Sequence, residues 1–197
     1  SHQTVEDLAL MRAIPNMVVI SPSDAVETKA VIEAIAEYNG PCYVRLGRSP
    51  VNVVNDESTY KFELGKGVLL NEGTDLTMVA TGIMVDVALE AKEILASQGI
   101  SARVINIHTL KRIDSDILVK AAKETGAIVT VEEHSVIGGL GSAVSEVLGE
   151  VCPVPVVKVG VNDQFGQSGK PDELLEYYGL TATNVVEKAK KAIELKR

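Results

Sequence analysis

The sequence predicts an α/β protein in which an incomplete α/β segment precedes a three-layer α/β/α domain with a five-stranded, mostly parallel sheet. Short apolar runs of strand length alternate with amphipathic stretches of helix length along the 197 residues, which is typical of a parallel sheet covered by helices. Two such strands precede an aperiodic stretch at 49–63, and five follow it. A composition of 46% apolar and 4% aromatic residues is that of a globular protein that buries a core.

Residues 1–48 contain a helix and a strand, then a second helix and a second strand. Each predicted helix starts with a capping-box signature, formed by Thr4 with Asp7 and by Asp24 with Glu27. A parallel sheet normally has about four to six strands with both faces covered, so two strands are too few for a domain. We therefore expect the back half of a domain, either poorly ordered or packed through its apolar faces and unpaired strand edge against a second copy or a partner chain. The predicted strands are 17–20 and 42–46.

The remaining residues predict a linker and one complete domain. The stretch 49–63 contains Pro50 and two Asn without a clear period, which is typical of a linker, and the domain follows over 64–197. Only the turn Asn71–Gly73 separates the first two strands of this domain, so we expect those strands to be antiparallel neighbours. The predicted strands are 66–70, 76–80, 101–107, 127–131 and 154–159, and the predicted helices are 84–96, 114–126, 138–148, 171–178 and 182–195.

Charge and motif content narrow the function classes. Nineteen Lys and Arg against 27 Asp and Glu leave a net charge of −8 with scattered basic residues, so neither nucleic acid nor a membrane surface is expected as a partner. The sequence has no membrane-spanning run and no signal-peptide pattern, which predicts a cytoplasmic protein. It contains no nucleophile elbow, P-loop, H-E-x-x-H or EF-hand motif, and Cys42 and Cys152 lack the spacing of zinc ligands.

Two groups of residues in the C-terminal part are candidates for a site. Gly138–Gly141 opens a helix soon after a strand, where backbone N–H groups bind phosphate. Val144 occupies the third small position of a dinucleotide fingerprint, so we favour a close-packed helix start at an interface. His134 follows a strand beside Glu132, and a histidine paired with a neighbouring carboxylate at a subunit contact is more common there than a catalytic one. His108, at another strand end, is interpreted in the same way.

The two ends of the first segment provide a third candidate site. His2 precedes the first helix of this segment, and Arg48 follows its last strand. Parallel-sheet geometry can bring such positions together at the carboxyl edge of the sheet, where ligands bind in open α/β folds. Arg45 and Arg48 offer planar guanidinium groups that suit a phosphate or a carboxylate, although an arginine after a strand is also a common surface residue.

Two sets of motifs resemble the same family. The first set consists of H-Q at 2–3, E-D-L-A at 6–9, R-A-I-P-N at 12–16, P-S-D at 22–24 and R-L-G-R at 45–48. The second set consists of A-T-G at 80–82, E-E-H at 132–134, G-G-L-G at 138–141, F-G-Q-S-G-K-P at 165–171 and Y-G-L-T at 178–181. On these residues the whole chain resembles the transketolase family, with the first set similar to the second half of its pyrimidine-binding domain and the second set similar to its C-terminal domain. The C-terminal subunits of split bacterial or archaeal transketolases provide the nearest resemblance.

The resemblance implies an activity that needs a second polypeptide section. Transketolases move a two-carbon ketol unit between sugar phosphates with thiamine diphosphate and Mg²⁺. The family's pyrimidine-binding glutamate and aromatic residues lie upstream of the His2 position, and another domain holds the diphosphate and the metal, so no cofactor is expected on this chain alone. By the same resemblance His2 matches the substrate-contacting histidine and Arg48 the phosphate-binding arginine. Asp24 also matches a family position, but its helix cap already explains it.

We therefore expect the C-terminal section of a transketolase of the pentose phosphate pathway, inactive alone. Residues 1–48 would be the partial pyrimidine-binding domain, 49–63 the linker and 64–197 the C-terminal domain, which forms a homodimer and works with an N-terminal section. One alternative is a non-catalytic dimerisation or assembly module. Another is a subunit of a deoxyxylulose-phosphate synthase or of a 2-oxoacid dehydrogenase E1 beta type, although the motif at 165–171 favours transketolase. A third, based on Gly139 and Gly141, is a nucleotide- or anion-binding domain.

Overall fold

The computed structural model describes residues 4–196, which form seven helices and eight strands. Across these residues, every helix is too short or too polar to span a lipid bilayer. In chain order the elements are α1 (Asp7–Ala13), β1 (Val18–Ile20), α2 (Ala25–Glu37), β2 (Cys42–Val44), β3 (Val68–Asn71), β4 (Leu76–Ala80), α3 (Met84–Ser97), β5 (Ala102–Asn106), β6 (Thr109–Lys111), α4 (Ser115–Thr125), β7 (Ile128–Ser135), α5 (Leu140–Val151), β8 (Val156–Val161), α6 (Pro171–Tyr177) and α7 (Ala182–Glu194).

The larger sheet confirms the predicted fold class. Its five strands lie in the order β3-β5-β4-β7-β8, with β5, β4, β7 and β8 parallel and β3 antiparallel at one edge. Strand β4 is buried at all five positions, as expected for a parallel strand with both faces covered. Helices α3 and α7 pack on one face of the sheet, and helices α4 and α5 pack on the other.

The predicted pairing of the first two strands is wrong. Strand β3 pairs with β5, not with β4, and β5 lies between them. The short turn crosses the start of β5, since the backbone N–H groups of Thr74 and Asp75 donate to the carbonyl oxygen of Ser101. A Cβ at Gly73 would lie 2.2 Å from the carbonyl carbon of Ala102, so this close crossing requires glycine. Because β5 and β7 occupy both edges of β4, β3 takes the outer edge of β5.

The first segment forms a second, three-stranded sheet in the order β2-β1-β6. Strands β1 and β2 are parallel, as predicted, and β6 from the C-terminal part of the chain pairs antiparallel with β1. The segment also buries Leu8 and Val19 in the core that α4 and α5 form on the larger sheet. The described part of the segment, from residue 4 onward, is therefore packed on its own chain, and β6 pairs with the edge of β1 that we expected to be left unpaired.

The outer side of this segment nevertheless exposes apolar side chains. Strand β2 is at the end of the three-stranded sheet. Leu10, Leu46 and Val53 are 64%, 57% and 63% exposed.

The two predicted capping boxes of this segment have different outcomes. Asp24 caps α2 by accepting from the backbone N–H of Glu27, as predicted, whereas the Glu27 carboxylate accepts from the N–H of Ser23 instead of that of Asp24. The box formed by Thr4 and Asp7 is wrong, because α1 begins after Glu6 without a side-chain cap. Asp7 instead contacts Tyr43 of β2 through its carboxylate.

Candidate functional site

Arg48 lies on an exposed loop at the carboxyl edge of the small sheet. The chain leaves β2 at Val44, and residues 46–53 that follow are exposed and belong to no helix or strand. The parallel strand β1 ends at the same edge with Ile20. Within residues 4–196 the Arg48 guanidinium forms no hydrogen bond and no ion pair, so its donors remain available to a ligand. The position is where open α/β sheets bind ligands.

Arg45 does not form the predicted anion-binding fork with Arg48. Its guanidinium donates to the carbonyl oxygens of Glu133 and, at 3.0 Å, of Thr4, and its Nε lies 3.3 Å from Oδ2 of Asp7. Tyr43 donates to the same Asp7 oxygen at 2.6 Å. Arg45 therefore joins the end of β2 to α1 and to β7, and its donors are already used within the chain.

His2 lies outside the described residues. Arg45 donates to the carbonyl oxygen of Thr4, the first residue that the structure describes. This bond holds Thr4 beside the end of β2, from which Arg48 follows.

His134 is a buried structural residue and does not face another subunit. Strand β7 continues to Ser135, so His134 lies within the strand, fully buried under α1. Its Nδ1 donates to the carbonyl oxygen of Ser135 at 2.7 Å, and its Nε2 accepts from the N–H of Ala9 at 3.3 Å. Burial lowers the pKa of His134, which keeps the ring neutral. The expected pairing with a carboxylate is wrong, because Glu132 lies 3.7 Å away without a hydrogen bond to this neutral ring.

Glu132 occupies the anion position at the start of α5. Its two carboxylate oxygens accept from the backbone N–H groups of Leu140 at 2.6 Å and Gly141 at 2.8 Å. Burial raises the pKa of Glu132 to about 7, against the opposing effect of these two hydrogen bonds. The N–H groups that a phosphate would need are therefore already bound, and the anion-binding interpretation of Gly139 and Gly141 is wrong.

The glycines of this helix start allow close packing within the chain, which is the use that we favoured for them. A Cβ at Gly139 would lie 2.0 Å from Oε2 of Glu132, and a Cβ at Gly138 would lie 2.6 Å from Cβ of Ala9 in α1. The interface is between two parts of one chain. Arg12, to which the sequence assigned no role beyond its place in a family-like motif, strengthens it by donating to the carbonyl oxygens of Gly138 and Gly139.

A second buried acidic cluster fastens the segment 49–63 to α2. Glu27 is fully buried, and its carboxylate accepts from the amide of Asn106 at 2.9 Å and from the hydroxyl of Tyr60. Asp24, 2% exposed, accepts from the backbone N–H groups of Val54 and Asn55, both at 2.8 Å. The segment 49–63, which we predicted as a linker, is therefore fixed to the fold by buried side chains, and we call this segment the strap. No local sequence pattern pairs these carboxylates with donors some 30 or 80 residues away.

His108 is also structural, although not in the way we expected. It is fully buried, its ring centroid lies 4.5 Å from that of Phe62, and its Nδ1 lies 2.8 Å from the hydroxyl of Thr109. Burial lowers the pKa of His108, so the ring is neutral. His108 therefore packs on Phe62 of the strap through its ring, and among the described residues it has no carboxylate partner.

The described residues do not fit a metal–diphosphate site. Within residues 4–196 no group of three or more His, Cys, Asp or Glu side chains is placed to hold a metal ion. The glycine-rich helix start, which is the natural diphosphate cradle of this sequence, is filled by Glu132. Among the residues that the structure describes, Arg48 is the accessible group at the edge of the small sheet that suits an anionic ligand.

Two family models match the chain. The model described as "Transketolase, C-terminal domain" matches residues 65–185, and the model described as "Transketolase, pyrimidine binding domain" matches residues 1–53.

Relatives and a solved structure agree with these matches. The chain is 48% identical to the "6-deoxy-6-sulfo-D-fructose transketolase subunit SqwH" of Clostridium sp. (strain MSTE9), covering 100% of this chain and 61% of the relative. It is 50% identical to a "Putative transketolase C-terminal section" of Methanocaldococcus jannaschii, covering 95% and 59%. A solved structure described as "Split gene transketolase, inactive beta4 tetramer" is 57% identical with a TM-score of 0.96, covering 100% of this chain and 64% of that one. The chain thus spans about 60% of the length of these proteins, and it belongs to the transketolase family.

Proposed function

We propose that this chain is the C-terminal section of a transketolase, which moves a two-carbon ketol unit between sugars that carry an anionic group. The observation that carries the proposal is Arg48, an exposed arginine without a described partner at the carboxyl edge of an incomplete sheet. The neighbouring Arg45 has the same charge, but its contacts within the chain exclude it from this role. The resemblance of Arg48 to the family's phosphate-binding arginine supports the same assignment.

The proposed roles of the residues follow from their chemistry. Arg48 binds the phosphate of the sugar, because a guanidinium has a fixed charge and paired donors that match phosphate oxygens. By its resemblance to the family's histidine, His2 contacts the substrate, and in the sequence it precedes by two residues the Thr4 that Arg45 binds. The ketol transfer itself uses the carbanion chemistry that thiamine diphosphate supplies in this family. By the same resemblance we assign this cofactor and Mg²⁺ to the other section, and within residues 4–196 no group of three or more His, Cys, Asp or Glu side chains is placed to hold the metal.

The proposal names an anionic sugar and not one particular sugar. One relative is named for a sulfo sugar, and the resemblance to other transketolases suggests sugar phosphates. A guanidinium can donate paired hydrogen bonds to the oxygens of either kind of anion.

The proposed organisation is a partial pyrimidine-binding domain over 1–48, a strap over 49–63 and a C-terminal domain over 64–197. We infer that an N-terminal section covers apolar side chains that the first segment and the strap leave exposed, among them Leu10, Leu46 and Val53. The C-terminal domain then forms a homodimer, and the chain alone is inactive.

A reconstitution assay tests the proposal. Ketol transfer from a ketose phosphate to an aldose phosphate is measured with the chain alone, with the N-terminal section alone and with both, all in the presence of thiamine diphosphate and Mg²⁺. We expect turnover only in the mixture. Turnover by the chain alone, or none in a mixture that forms a stable complex, contradicts the proposal.

A second candidate function is a non-catalytic assembly module. It is favoured by the solved relative that is described as an inactive beta4 tetramer. Both candidates allow this chain to form an oligomer, so the reconstitution assay separates them. An assembly module gives no turnover in a mixture that sedimentation velocity shows to be a stable complex, whereas the transketolase section does.

A further inference from the structure

The loop that carries Arg48 is held at its two ends. Residues 46–53 are exposed, and their one side-chain hydrogen bond to the rest of the described chain runs from Asn52 to Asp86 on the surface. At the near end the backbone N–H of Arg45 donates to the carbonyl oxygen of Ile20 at 2.8 Å. The place of Arg48 therefore depends on how firmly the far end, at residues 54–55, is fixed.

Asp24 fixes the far end with one oxygen and caps a helix with the other. Its Oδ1 accepts from the N–H of Glu27 and so caps α2, and its Oδ2 accepts from the N–H groups of Val54 and Asn55, each at 2.8 Å. The side chain of Asn55 adds a bond of 3.0 Å to the hydroxyl of Ser23. A helix cap needs only one acceptor, and Asn or Ser caps as well as Asp. The cap therefore accounts for half of this buried carboxylate.

We propose that Asp24 is a positioning residue for anion binding, which holds the far end of the 46–53 loop and thereby sets the place of Arg48. This inference rests on the proposed role of Arg48. Hydrogen bonds from N–H groups to a carboxylate are among the strong ones, and the Asp24 carboxylate that accepts these two is buried. Releasing them gives the loop more conformations, and Arg48 must be ordered again each time a ligand binds.

The substitution Asp24→Asn separates the two functions of the side chain. The asparagine oxygen still caps α2, whereas its NH₂ group cannot accept from Val54 and Asn55. In the enzyme assembled from both sections we expect the KM for a sugar phosphate to rise about tenfold, the effect of losing roughly one charge-assisted hydrogen bond. The kcat and the KM for a ketose without a phosphate group stay unchanged.

Asp114→Asn is the matched control. Asp114 caps α4 in the same way, with Oδ1 accepting from the N–H of Ile117 and Oδ2 from the N–H of Gly67. This substitution therefore removes an acceptor of the same kind, which binds one N–H at 3.1 Å and has Lys66 3.9 Å away, at a site that does not hold the Arg48 loop. We expect it to lower stability like Asp24→Asn and to leave both KM values unchanged.

Arg48→Ala distinguishes failure of this inference from failure of the proposed function. If Arg48→Ala does not raise the KM for the sugar phosphate, the proposed role of Arg48 is wrong and the inference fails with it. If Arg48→Ala raises this KM but Asp24→Asn behaves like Asp114→Asn, the inference alone is overturned. The double variant of Asp24 and Arg48 should be no worse than Arg48→Ala, because Asp24 acts only through Arg48.

Amide hydrogen exchange on this chain provides a second readout that does not depend on assembly. In the unmodified chain the amides of Val54 and Asn55 should be protected, and in Asp24→Asn they should exchange at least about tenfold faster while the amides of α2 keep their protection. Unchanged protection of Val54 and Asn55 in this variant overturns the inference.

Discussion

Replacing Glu132 by Gln tests whether a buried, ionisable carboxylate closes the start of α5. Glu132 is fully buried and accepts from the backbone N–H groups of Leu140 and Gly141. Glutamine has nearly the same shape and keeps one acceptor, but it cannot ionise. The two proteins should therefore differ in how their stability depends on pH.

The magnitude follows from the pKa of Glu132, which burial raises from 4.5 to about 7. A folded-state pKa above the unfolded value means that the folded protein binds this proton more tightly. The stabilising contribution is complete below about pH 4.5 and is lost as the pH rises through 7. At about 1.4 kcal/mol per pKa unit, the whole contribution is about 3 kcal/mol.

Urea unfolding at pH 5 and pH 8 measures this difference. We expect the free energy of unfolding of the unmodified chain, relative to that of Glu132→Gln, to fall by about 2 to 3 kcal/mol between the two pH values. Glu133 and His134 titrate in both proteins and cancel in the comparison. Glu150→Gln, at an exposed position of the same helix, is the control and should show no such change. An equal difference at both pH values refutes the reasoning about Glu132.

Two further predictions concern the packing of the first segment on the C-terminal part. Gly139→Ala should lower the free energy of unfolding in urea titrations by about 2 kcal/mol or more, because the new Cβ would lie 2.0 Å from the Glu132 carboxylate. The control Gly149→Ala, in open space on the same helix, should raise this free energy by about 0.5–1 kcal/mol. Equal effects of the two substitutions would contradict this packing. Arg45→Met should lower the free energy of unfolding by about 3 kcal/mol, because it leaves the buried Asp7 carboxylate without its cation. The first segment should then be cleaved faster by a protease. Unchanged protease resistance would contradict the contacts assigned to Arg45.

The local signals in the sequence predicted the elements of the fold well. Asp24 and Asp114 cap α2 and α4 as expected from their positions, and Gly126 ends α4 in the left-handed conformation with a φ of 71°. Such features depend on residues three or four positions apart, so they are visible in the sequence. The alternation of strands and helices, which also depends on local periodicity, predicted the correct fold class.

The pairings that depend on distant residues could not be predicted in this way. The edge of β1 is covered by β6, about 90 residues later, and a three-residue strand carries little periodicity of its own. The role of Glu132 became clear only when the structure brought its carboxylate to the start of α5. A glutamate at a strand end eight residues before a glycine-rich helix start was the available signal, and we assigned that helix start to packing without identifying the anion.

The most direct test of the central claim is a calorimetric titration of thiamine diphosphate with Mg²⁺ into this chain alone. We assign the cofactor site to the N-terminal section and only the anion-binding Arg48 and the substrate-contacting His2 to this chain. The expected result is therefore no heat of binding with this chain alone. Saturable binding in the micromolar range would contradict the assignment, because the chain would then contain a cofactor site that neither the glycine-rich helix start nor any described acidic cluster accounts for.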